Sequence, residues 1–573
     1  MKLSTPEAHT RFLLFVAGLG GLLYGIDVGI IAGALPYLEA SAAQIWKLST
    51  QQLSFVVAAV LLGSVLSSLA AGTLAEIFGR KRLMFLSGLL FSLSIPVIAL
   101  ADGYVPLLLG RLLQGISGGL IGVVVPLYLA ESLPAEVRGR GTGIFQLLLT
   151  VGLVLAAAIG LLVAREVEAA ASSAPATLQA VQDGAWRRIF WLSLPPGLLF
   201  TGGVLLLAES PRWLLARGAQ DAALQALQRT RPAAAARDEL SAIGADHGPA
   251  LATESGSLLQ RRYVLPFLLA CLILACNQAT GMNSVLAYAV NIFEAGGLNG
   301  SMANVGDFAL KLVNCLMTVL AVMLVDRKGR KFLLMLGTGG IIVSLTAAGL
   351  LFLSAEREQL DASQLFNHRI AGNGLSMKAS ELRYIGGDDY VLEVAYSYGP
   401  LTQVRTWRPG QDLLIAAPDT VDGDSVIGAT FRRVHLNPFP DMQLARNAPL
   451  VIERARIGEA PKPEQGWLVL ACLLGFVASF AIGPGVCVWL ALSELMPTRI
   501  RSNGMSVALL LNQFVSTVIA AVFLPTVGQH GYAPMFFAWA GCTAIYFLAA
   551  TFILPETRGK TLEEIGRHFA SSK

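Results

Sequence analysis

Charge is scarce in this sequence. Asp, Glu, Lys and Arg together make up 14% of its 573 residues, whereas a soluble domain carries about 25%. A soluble chain of this length would need a more strongly charged surface to stay dissolved. The net charge is only +4, so a nucleic-acid-binding protein that depends on basicity is also excluded. Neither an ordinary soluble enzyme nor a disordered protein fits this composition.

Cysteine is also rare, and its positions do not indicate a metal site or a disulfide framework. The six cysteines lie within apolar stretches, at Cys271, Cys276, Cys315, Cys472, Cys487 and Cys542. Their spacing matches no zinc-binding pattern. We interpret them as small buried side chains. No metal is expected, and with no nucleophile–base set or phosphate-binding loop visible, the chain is not predicted to be an enzyme.

Long apolar runs dominate what is present. Apolar residues make up 54% of the chain, and the mean hydropathy is +0.61. A helix needs about 20 apolar residues to span a membrane. Twelve runs meet this requirement, at 12–36, 52–76, 82–101, 104–130, 141–164, 187–208, 262–293, 303–325, 332–354, 467–492, 503–527 and 533–554. The sequence therefore predicts an all-α polytopic membrane protein.

The loops between these runs predict an orientation. If the N-terminus is cytoplasmic, most of the Lys and Arg residues outside the runs fall on the cytoplasmic side, as the positive-inside rule requires. We therefore expect both termini inside, in a plasma or inner membrane. The resulting organisation is an N-terminal six-helix bundle (1–208), a cytoplasmic linker (209–262), helices 7–9 (263–354), an extracellular insert (355–466), helices 10–12 (467–556) and a cytoplasmic tail (557–573).

The insert differs from the rest of the chain. It has Pro, Asp and Gly turn signals and alternating stretches such as Tyr390–Tyr396, which are typical of strands and hairpins. We predict a small β-rich domain between helices 9 and 10.

Short motifs recur in both halves. Gly79-Arg80-Lys81 follows the second run and Gly329-Arg330-Lys331 follows the eighth; Glu131-x-x-Pro134-x-x-x-Arg138 follows the fourth and Glu494-x-x-Pro497-x-x-x-Arg501 the tenth. One six-helix unit has therefore been used twice, which is the architecture of many secondary transporters.

Together with Gly20-Gly-Leu-Leu-Tyr-Gly-Ile-Asp27, Glu209-Ser-Pro-Arg212, Asp326-Arg-x-Gly-Arg330 and Pro555-Glu-Thr-Arg-Gly559, these motifs make the chain resemble the sugar porter branch of the major facilitator superfamily. The resemblance implies the major facilitator fold of 12 transmembrane helices in two halves. It covers everything except 355–466.

Asp27 and Arg111 are opposite charges inside apolar runs. From Arg11 to Asp27 is about 24 Å along a helix, and Arg111 lies about 10 Å below the start of the fourth run, so the two reach similar depth. An isolated charge there is costly, and a pair or a water-lined cavity is expected. In the proton-coupled members of the family, the matching Asp carries the proton. A structural clamp in a uniporter is the alternative.

The charged helix ends provide candidates for a latch between the halves. Such side chains could pair across the halves when the cytoplasmic side is closed, or simply set topology and cap helices. The candidates are Glu76, Arg80, Glu131, Arg138, Glu209, Arg212, Asp326, Arg330, Glu494 and Arg501.

Neutral polar residues in the runs suggest the solute site. Hydroxyl-bearing solutes are bound by neutral donors and acceptors near the membrane midplane. The candidates, some of them implied by the family pattern, are Tyr24, Gln146, Asn277, Gln278, Asn283, Tyr288, Asn314, Trp489 and Asn512. Leu153 stands where the family usually has a binding glutamine. Lys311, four residues after Asp307, is expected to form a local ion pair; attraction of an anionic solute is the alternative.

The sequence thus favours a secondary transporter that takes up a sugar, polyol or related hydroxylated solute by proton symport. The proton is expected to be the coupling ion, and no other cofactor and no nucleic-acid partner are expected. The protein is expected to function as a monomer in the lipid bilayer. Two alternatives remain open: a transporter-like sensor with an extracellular ligand-binding insert, and a proton-antiport exporter.

Overall fold

Twelve long apolar helices form the body of the protein. A computed structural model describes residues 5–170, 175–246, 261–298, 300–416, 442–487 and 501–554. Its twelve helical spans are each long and apolar enough to cross a membrane, and large apolar side chains such as Leu66, Leu316 and Val343 are exposed on their outer surfaces. The predicted polytopic all-α fold is confirmed.

The helices of spans 1 to 6 are Pro6–Ala40, Thr50–Phe78, Arg80–Ala99, Tyr104–Ser132, Ala135–Ala169, and Pro175–Trp191 with Leu194–Leu205. Those of spans 7 to 12 are Arg261–Ala279 with Met282–Ala295, Ser301–Lys328, Arg330–Arg357, Pro463–Ile482, Arg501–His530, and Tyr532–Leu548 with the π-helix Ala549–Ile553. Short helices Ala42–Ile45, Pro211–Ala216, Gln220–Gln228 and Ala233–Asp246 lie between spans. Spans 1–6 are the first half and spans 7–12 the second.

Glycine allows the helices of the first half to pack closely. A Cβ on Gly25 of span 1 would lie 1.9 Å from the carbonyl oxygen of Leu149 in span 5, and one on Gly115 of span 4 would lie 2.0 Å from that of Val60 in span 2. Small residues at such crossings allow backbones to approach in the membrane, where packing replaces the hydrophobic driving force. This close packing accounts for part of the glycine content.

The segment between spans 9 and 10 contains the strands that the sequence predicts. Its strands are β1 (Leu360–Asp361), β2 (Leu375–Met377), β3 (Tyr390–Tyr398), β4 (Leu401–Trp407), β5 (Leu413–Ile415) and β6 (Leu450–Glu459), and its helices are Ser363–His368, Ala379–Gly386 and Met442–Asn447. Four strands form an antiparallel sheet in the order β1-β6-β3-β4, and β2 pairs with β5. An apolar core that includes Tyr390, Leu392 and Ile457 stabilises the domain.

Two names describe the ends of the bundle. The end next to the insert is the insert face, and the end next to the helices of residues 211–246 is the linker face. Asn291 of span 7 donates to Glu39 at the end of span 1, at 3.1 Å. Gln513 of span 11 donates to Ser64 of span 2 deeper in the bundle, at 3.4 Å. Within the described ranges, the two halves are thus hydrogen-bonded at the insert face and at mid-depth.

Candidate functional site

Asp27 is buried inside span 1, in contact with span 4. Asp27 as a whole residue is only 1% exposed. A Cβ on Gly118 would lie 2.7 Å from Asp27 Oδ2, while Oδ1 is buried and accepts no hydrogen bond from any described residue. An ionised carboxylate is costly to bury without hydrogen bonds. A proton on Asp27 removes that cost.

Arg111 is the positive charge that acts on Asp27. Both side chains are buried, but they form no ion pair among the described residues. Of the two arrangements that the sequence predicts, a pair or a water-lined cavity, the direct pair is therefore not present in this conformation. Instead, Arg111 Nη1 donates to Gln114 Oε1 at 2.5 Å and Nε donates to the carbonyl oxygen of Val56 at 3.4 Å. Its guanidinium also lies 5.7 Å from the ring centroid of Phe190. Neutral acceptors, rather than the Asp27 carboxylate, therefore accept these hydrogen bonds of Arg111.

Tyr24 connects the neighbourhood of Asp27 to the other half. One helical turn before Asp27, its hydroxyl lies beside Ser64 of span 2 and Gln513 of span 11. Because Gln513 itself donates to Ser64, this polar cluster joins spans 1, 2 and 11. Tyr24 was predicted from the sequence, whereas Ser64 and Gln513 were not, although a Ser and a Gln within apolar runs could have indicated them.

Span 7 is interrupted within its polar stretch. Gly281 adopts the left-handed conformation, with φ +82°, between the two helices of the span. A Cβ there would lie 2.3 Å from Trp539 of span 12, so only glycine fits both the backbone and the packing. Interrupted helices commonly form substrate sites in transporters. The polar stretch was predicted from the sequence, but the break in the helix was not.

The predicted polar residues beyond the break bind partners in span 11. Asn283 Nδ2 donates to Gln278 Oε1 at 3.0 Å and to Ser516 Oγ at 2.8 Å. The Tyr288 hydroxyl donates to the carbonyl oxygen of Ala520 at 3.1 Å, and its ring stacks on Phe523 with centroids 4.3 Å apart. Asn283 and Tyr288 thus fasten spans 7 and 11 together in this conformation.

Two other candidates have unpartnered polar atoms. Asn277 Oδ1 and Asn512 Oδ1 are buried, and neither has a hydrogen-bond partner among the described residues. Buried polar atoms of this kind usually meet water or a ligand. Asn314 is buried in span 8 and Gln146 is half-buried in span 5, whereas Trp489 lies outside the described residues.

Leu153 does not replace a glutamine in an open pocket. It is buried, and its Cδ2 would lie 3.1 Å from a Cβ on Gly29 of span 1. Leu153, which stands where the family usually has a glutamine, therefore packs in the contact between spans 1 and 5.

Lys311 forms the local ion pair that its spacing predicts. Its Nζ lies 2.8 Å from Asp307 Oδ2, and the two side chains are 0% and 1% exposed. Nζ also donates to the carbonyl oxygen of Gly29 in span 1, at 3.0 Å. With its charge compensated and fully enclosed, Lys311 presents no ammonium to an anionic solute in this conformation.

The latch residues of the first half pair within that half. Arg80 Nη2 lies 2.9 Å from Glu131 Oε1, and Ser210 donates to Glu131 Oε2. Glu209 Oε1 accepts from the backbone nitrogens of Arg80 and Lys81, both at 3.0 Å. Here the cluster caps span 3 and joins it to span 4, as expected for an acid at a helix N-terminus. Among the residues that the structure describes, none of these side chains pairs with one in the second half.

The structure describes the side chains of three further latch candidates, Glu76, Arg212 and Arg330. Glu76 and Arg212 have exposed side chains. Arg330 begins span 9 after Gly329 (φ +89°), as Arg80 begins span 3 after Gly79 (φ +95°), so the sequence repeat is also a structural repeat. Glu494 and the side chains of Arg138, Asp326 and Arg501 lie outside the described residues, so the latch between the halves stays a prediction.

Comparison with known proteins identifies the family. The model of the sugar (and other) transporter family matches residues 13–367 and 450–569. The chain belongs to this family. Residues 368–449, most of the insert, fall outside the match. The chain is thus a sugar transporter family member with an additional folded segment.

Individual relatives are distant but cover nearly the whole chain. The chain is 26% identical to the galactose-proton symporter of Escherichia coli (strain K12), over 99% of this chain and 96% of that protein. It is 27% identical to the Xenopus laevis solute carrier family 2, facilitated glucose transporter member 12, over 97% of this chain and 89% of that protein.

A solved structure agrees with the fold. The partially occluded inward-open xylose transporter XylE from E. coli superposes with a TM-score of 0.67 at 21% identity, covering 97% of this chain and 100% of that chain. The predicted major facilitator fold is confirmed. This family member is a multi-pass membrane protein.

Proposed function

We propose that this protein carries a sugar or a related small hydroxylated solute across the membrane together with a proton, by alternating access. The family is one of sugar transporters. One relative is named a galactose-proton symporter and another a facilitated glucose transporter, so the relatives support both coupled and uncoupled transport.

The observation that favours proton coupling is the state of Asp27. It is buried, one carboxylate oxygen accepts no hydrogen bond from the described residues, and its positive neighbour Arg111 is held by Gln114 and Val56. A clamp in a uniporter would be expected to form a direct, saturated ion pair. A buried acid with no direct ion-pair partner among the described residues fits symport better, because protonation would relieve the cost of its burial.

Alternating access then follows from where the halves meet. Asp27 lies one turn from the Tyr24 cluster, which is built from spans 1, 2 and 11. Protonation of Asp27 removes a buried charge beside contacts that must rearrange when the halves move. Proton binding and reorientation are thereby coupled.

The solute site consists of the polar residues of spans 7, 8 and 11, with Asn277 and Asn512 as open acceptors. Carbonyl oxygens match the hydroxyl donors of a sugar or polyol. Since Lys311 is neutralised by Asp307, a neutral solute is favoured over a sugar acid. Trp489 is proposed as a stacking residue on the family pattern.

The test is transport by the purified full-length protein in liposomes, with D-glucose, D-galactose, D-xylose, a polyol and a sugar acid as probes. A proton gradient should drive accumulation of at least one neutral probe, and Asp27→Asn should abolish accumulation while sparing exchange. Accumulation that is insensitive to a protonophore, or unchanged by Asp27→Asn, would contradict proton symport.

We further propose that both termini are cytoplasmic, that the insert is extracellular, that the membrane is the plasma or inner membrane and that the monomer is active. A sensor remains the second candidate because the insert is a folded domain outside the family match. Signalling without transport would favour it. Proton-driven efflux would instead favour the exporter.

A further inference from the structure

Strand β4 of the insert lies over the boundary between the two halves. It is an edge strand of the four-stranded sheet, so its outward N–H groups have no partner within the sheet. One of them, from Val404, donates to Thr50 Oγ1 at 3.0 Å. Thr50 is the first residue of span 2 and belongs to the first half.

The side chain of the same residue contacts the second half. A Cβ on Gly528, near the insert-face end of span 11, would lie 2.3 Å from Val404 Cγ2 and 3.4 Å from Val404 Cβ. Val404 therefore touches span 2 with its main chain and span 11 with its side chain.

Further contacts of the insert anchor it to the second half. Arg454 Nη1 donates to the carbonyl oxygen of Gly528 at 3.2 Å, and Arg456 Nη1 lies 3.8 Å from Glu356 Oε2 at the end of span 9. Glu356 in turn accepts from the backbone nitrogen of Tyr532, which begins span 12. Since the insert is also joined by the chain to spans 9 and 10, it moves with the second half.

From these contacts we propose that the insert is a clamp that holds the insert face closed. The contact of Val404 with Thr50 crosses the boundary and must separate when that face opens, whereas the anchors to spans 9, 11 and 12 persist. Losing one hydrogen bond of this kind shifts a two-state equilibrium by about fivefold. The inference rests on the proposed alternating access but not on a particular solute.

A distance measurement tests the clamp without any solute. Spin labels are attached at two exposed positions, Ile45 in the first half and Glu464 in the second. The distance between them, measured by double electron–electron resonance spectroscopy, reports the opening of the insert face. The measurement uses full-length protein in liposomes with the six native cysteines, all free thiols, replaced by serine or alanine. Thr50→Val should raise the open population about fivefold, and Thr50→Ser, which keeps the hydroxyl, should not. Equal populations in wild type and Thr50→Val would overturn the proposal.

A pair of cross-links supplies an independent test. Both variants use the same cysteine-free background. The first, Thr50→Cys with Val404→Cys, can form a disulfide between the two halves. The second, Gly528→Cys with Val404→Cys, joins the insert only to the second half, where the two Cβ positions are 3.4 Å apart. Oxidation with diamide should stop uptake of a transported probe sugar in the first variant, reversibly with dithiothreitol, and leave the second active. Uptake that continues with the first bridge formed would contradict the clamp. If the wild type carries no probe sugar, the proposed function fails while the distance measurement still tests the clamp.

Discussion

The carboxylate of Asp27 lies directly against the backbone of Gly118. A Cβ at position 118 would be 2.7 Å from Asp27 Oδ2, closer than the two atoms can approach without movement. The absence of a side chain on span 4 thus determines where the buried acid of span 1 can sit.

Gly118→Ala should therefore displace the Asp27 carboxylate and weaken proton coupling. Overpacking of this kind costs about 1–3 kcal/mol. We expect a fall in the accumulation ratio under a proton gradient, measured in liposomes, with exchange less affected. Gly122→Ala, whose Cβ would meet only Tyr24 Cε2 at 3.9 Å, is the matched control, and equal accumulation by both variants would contradict the argument.

Gly281→Ala should destabilise the second half. The substitution places a Cβ on a left-handed backbone and 2.3 Å from Trp539. The loss in free energy of unfolding should therefore exceed the roughly 1–2 kcal/mol that a left-handed conformation alone costs a residue with a Cβ. Thermal unfolding of the purified protein in detergent measures it. Gly339→Ala, 3.8 Å from the nearest atom, Phe547 Cε2, should leave the midpoint nearly unchanged; a similar drop in both would argue against a local cause.

Lys311→Met should be more damaging than the double variant Lys311→Met/Asp307→Leu. The single change leaves Asp307 buried without its cation, which typically costs about 3–5 kcal/mol, while replacing both partners removes the buried charge altogether. The midpoints of thermal unfolding for the two single variants and the double variant complete the cycle. Additive losses would show that the ion pair is not coupled.

Glu209→Ala should destabilise the linker face. The variant loses the acceptor for the backbone nitrogens of Arg80 and Lys81, and loss of such a helix cap costs about 0.5–2 kcal/mol. Asp238→Asn, at an exposed position of the helix Ala233–Asp246, is the control in the thermal unfolding measurement. An equal effect of the two changes would refute a capping role.

Glu393 should make the stability of the insert depend on pH. Burial raises the pKa of Glu393, while Arg454, whose Nη2 is 3.6 Å from Glu393 Oε1, opposes the shift. The folded insert therefore binds a proton there more readily than the unfolded one, so this residue's contribution to the free energy of unfolding increases as pH falls through the interval between the two pKa values. Limited proteolysis of the full-length protein across pH 4–8 should show this dependence weakened in Glu393→Gln.

Several features of the fold and site are predictable from the sequence for local reasons. Twelve apolar runs must become twelve helices because a membrane leaves backbone groups no other partner. The spacing of Asp307 and Lys311 fixes their ion pair, since residues four apart share a helix face. The strand signals of Tyr390–Tyr396 predict β3 because side-chain alternation is also local.

Other features depend on which helices come together. Arg111 was placed near Asp27 by depth, but Gln114, Val56 and Phe190 set its orientation. Arg80 found Glu131 in its own half rather than a partner across the boundary.

The number of spans, their duplication, the acid at position 27 within an apolar run and the β-rich insert can all be predicted from the sequence. Hydropathy and strand periodicity depend on residues that are close in the chain, and the repeated motifs can be recognised by direct comparison of the two halves. The contact between Val404 and Thr50, 354 positions apart, could be known only from the tertiary structure. The same holds for Asp27, which forms no ion pair with Arg111 among the described residues and whose Oδ1 accepts no hydrogen bond from them. Such contacts depend on how the helices and the sheet pack in three dimensions.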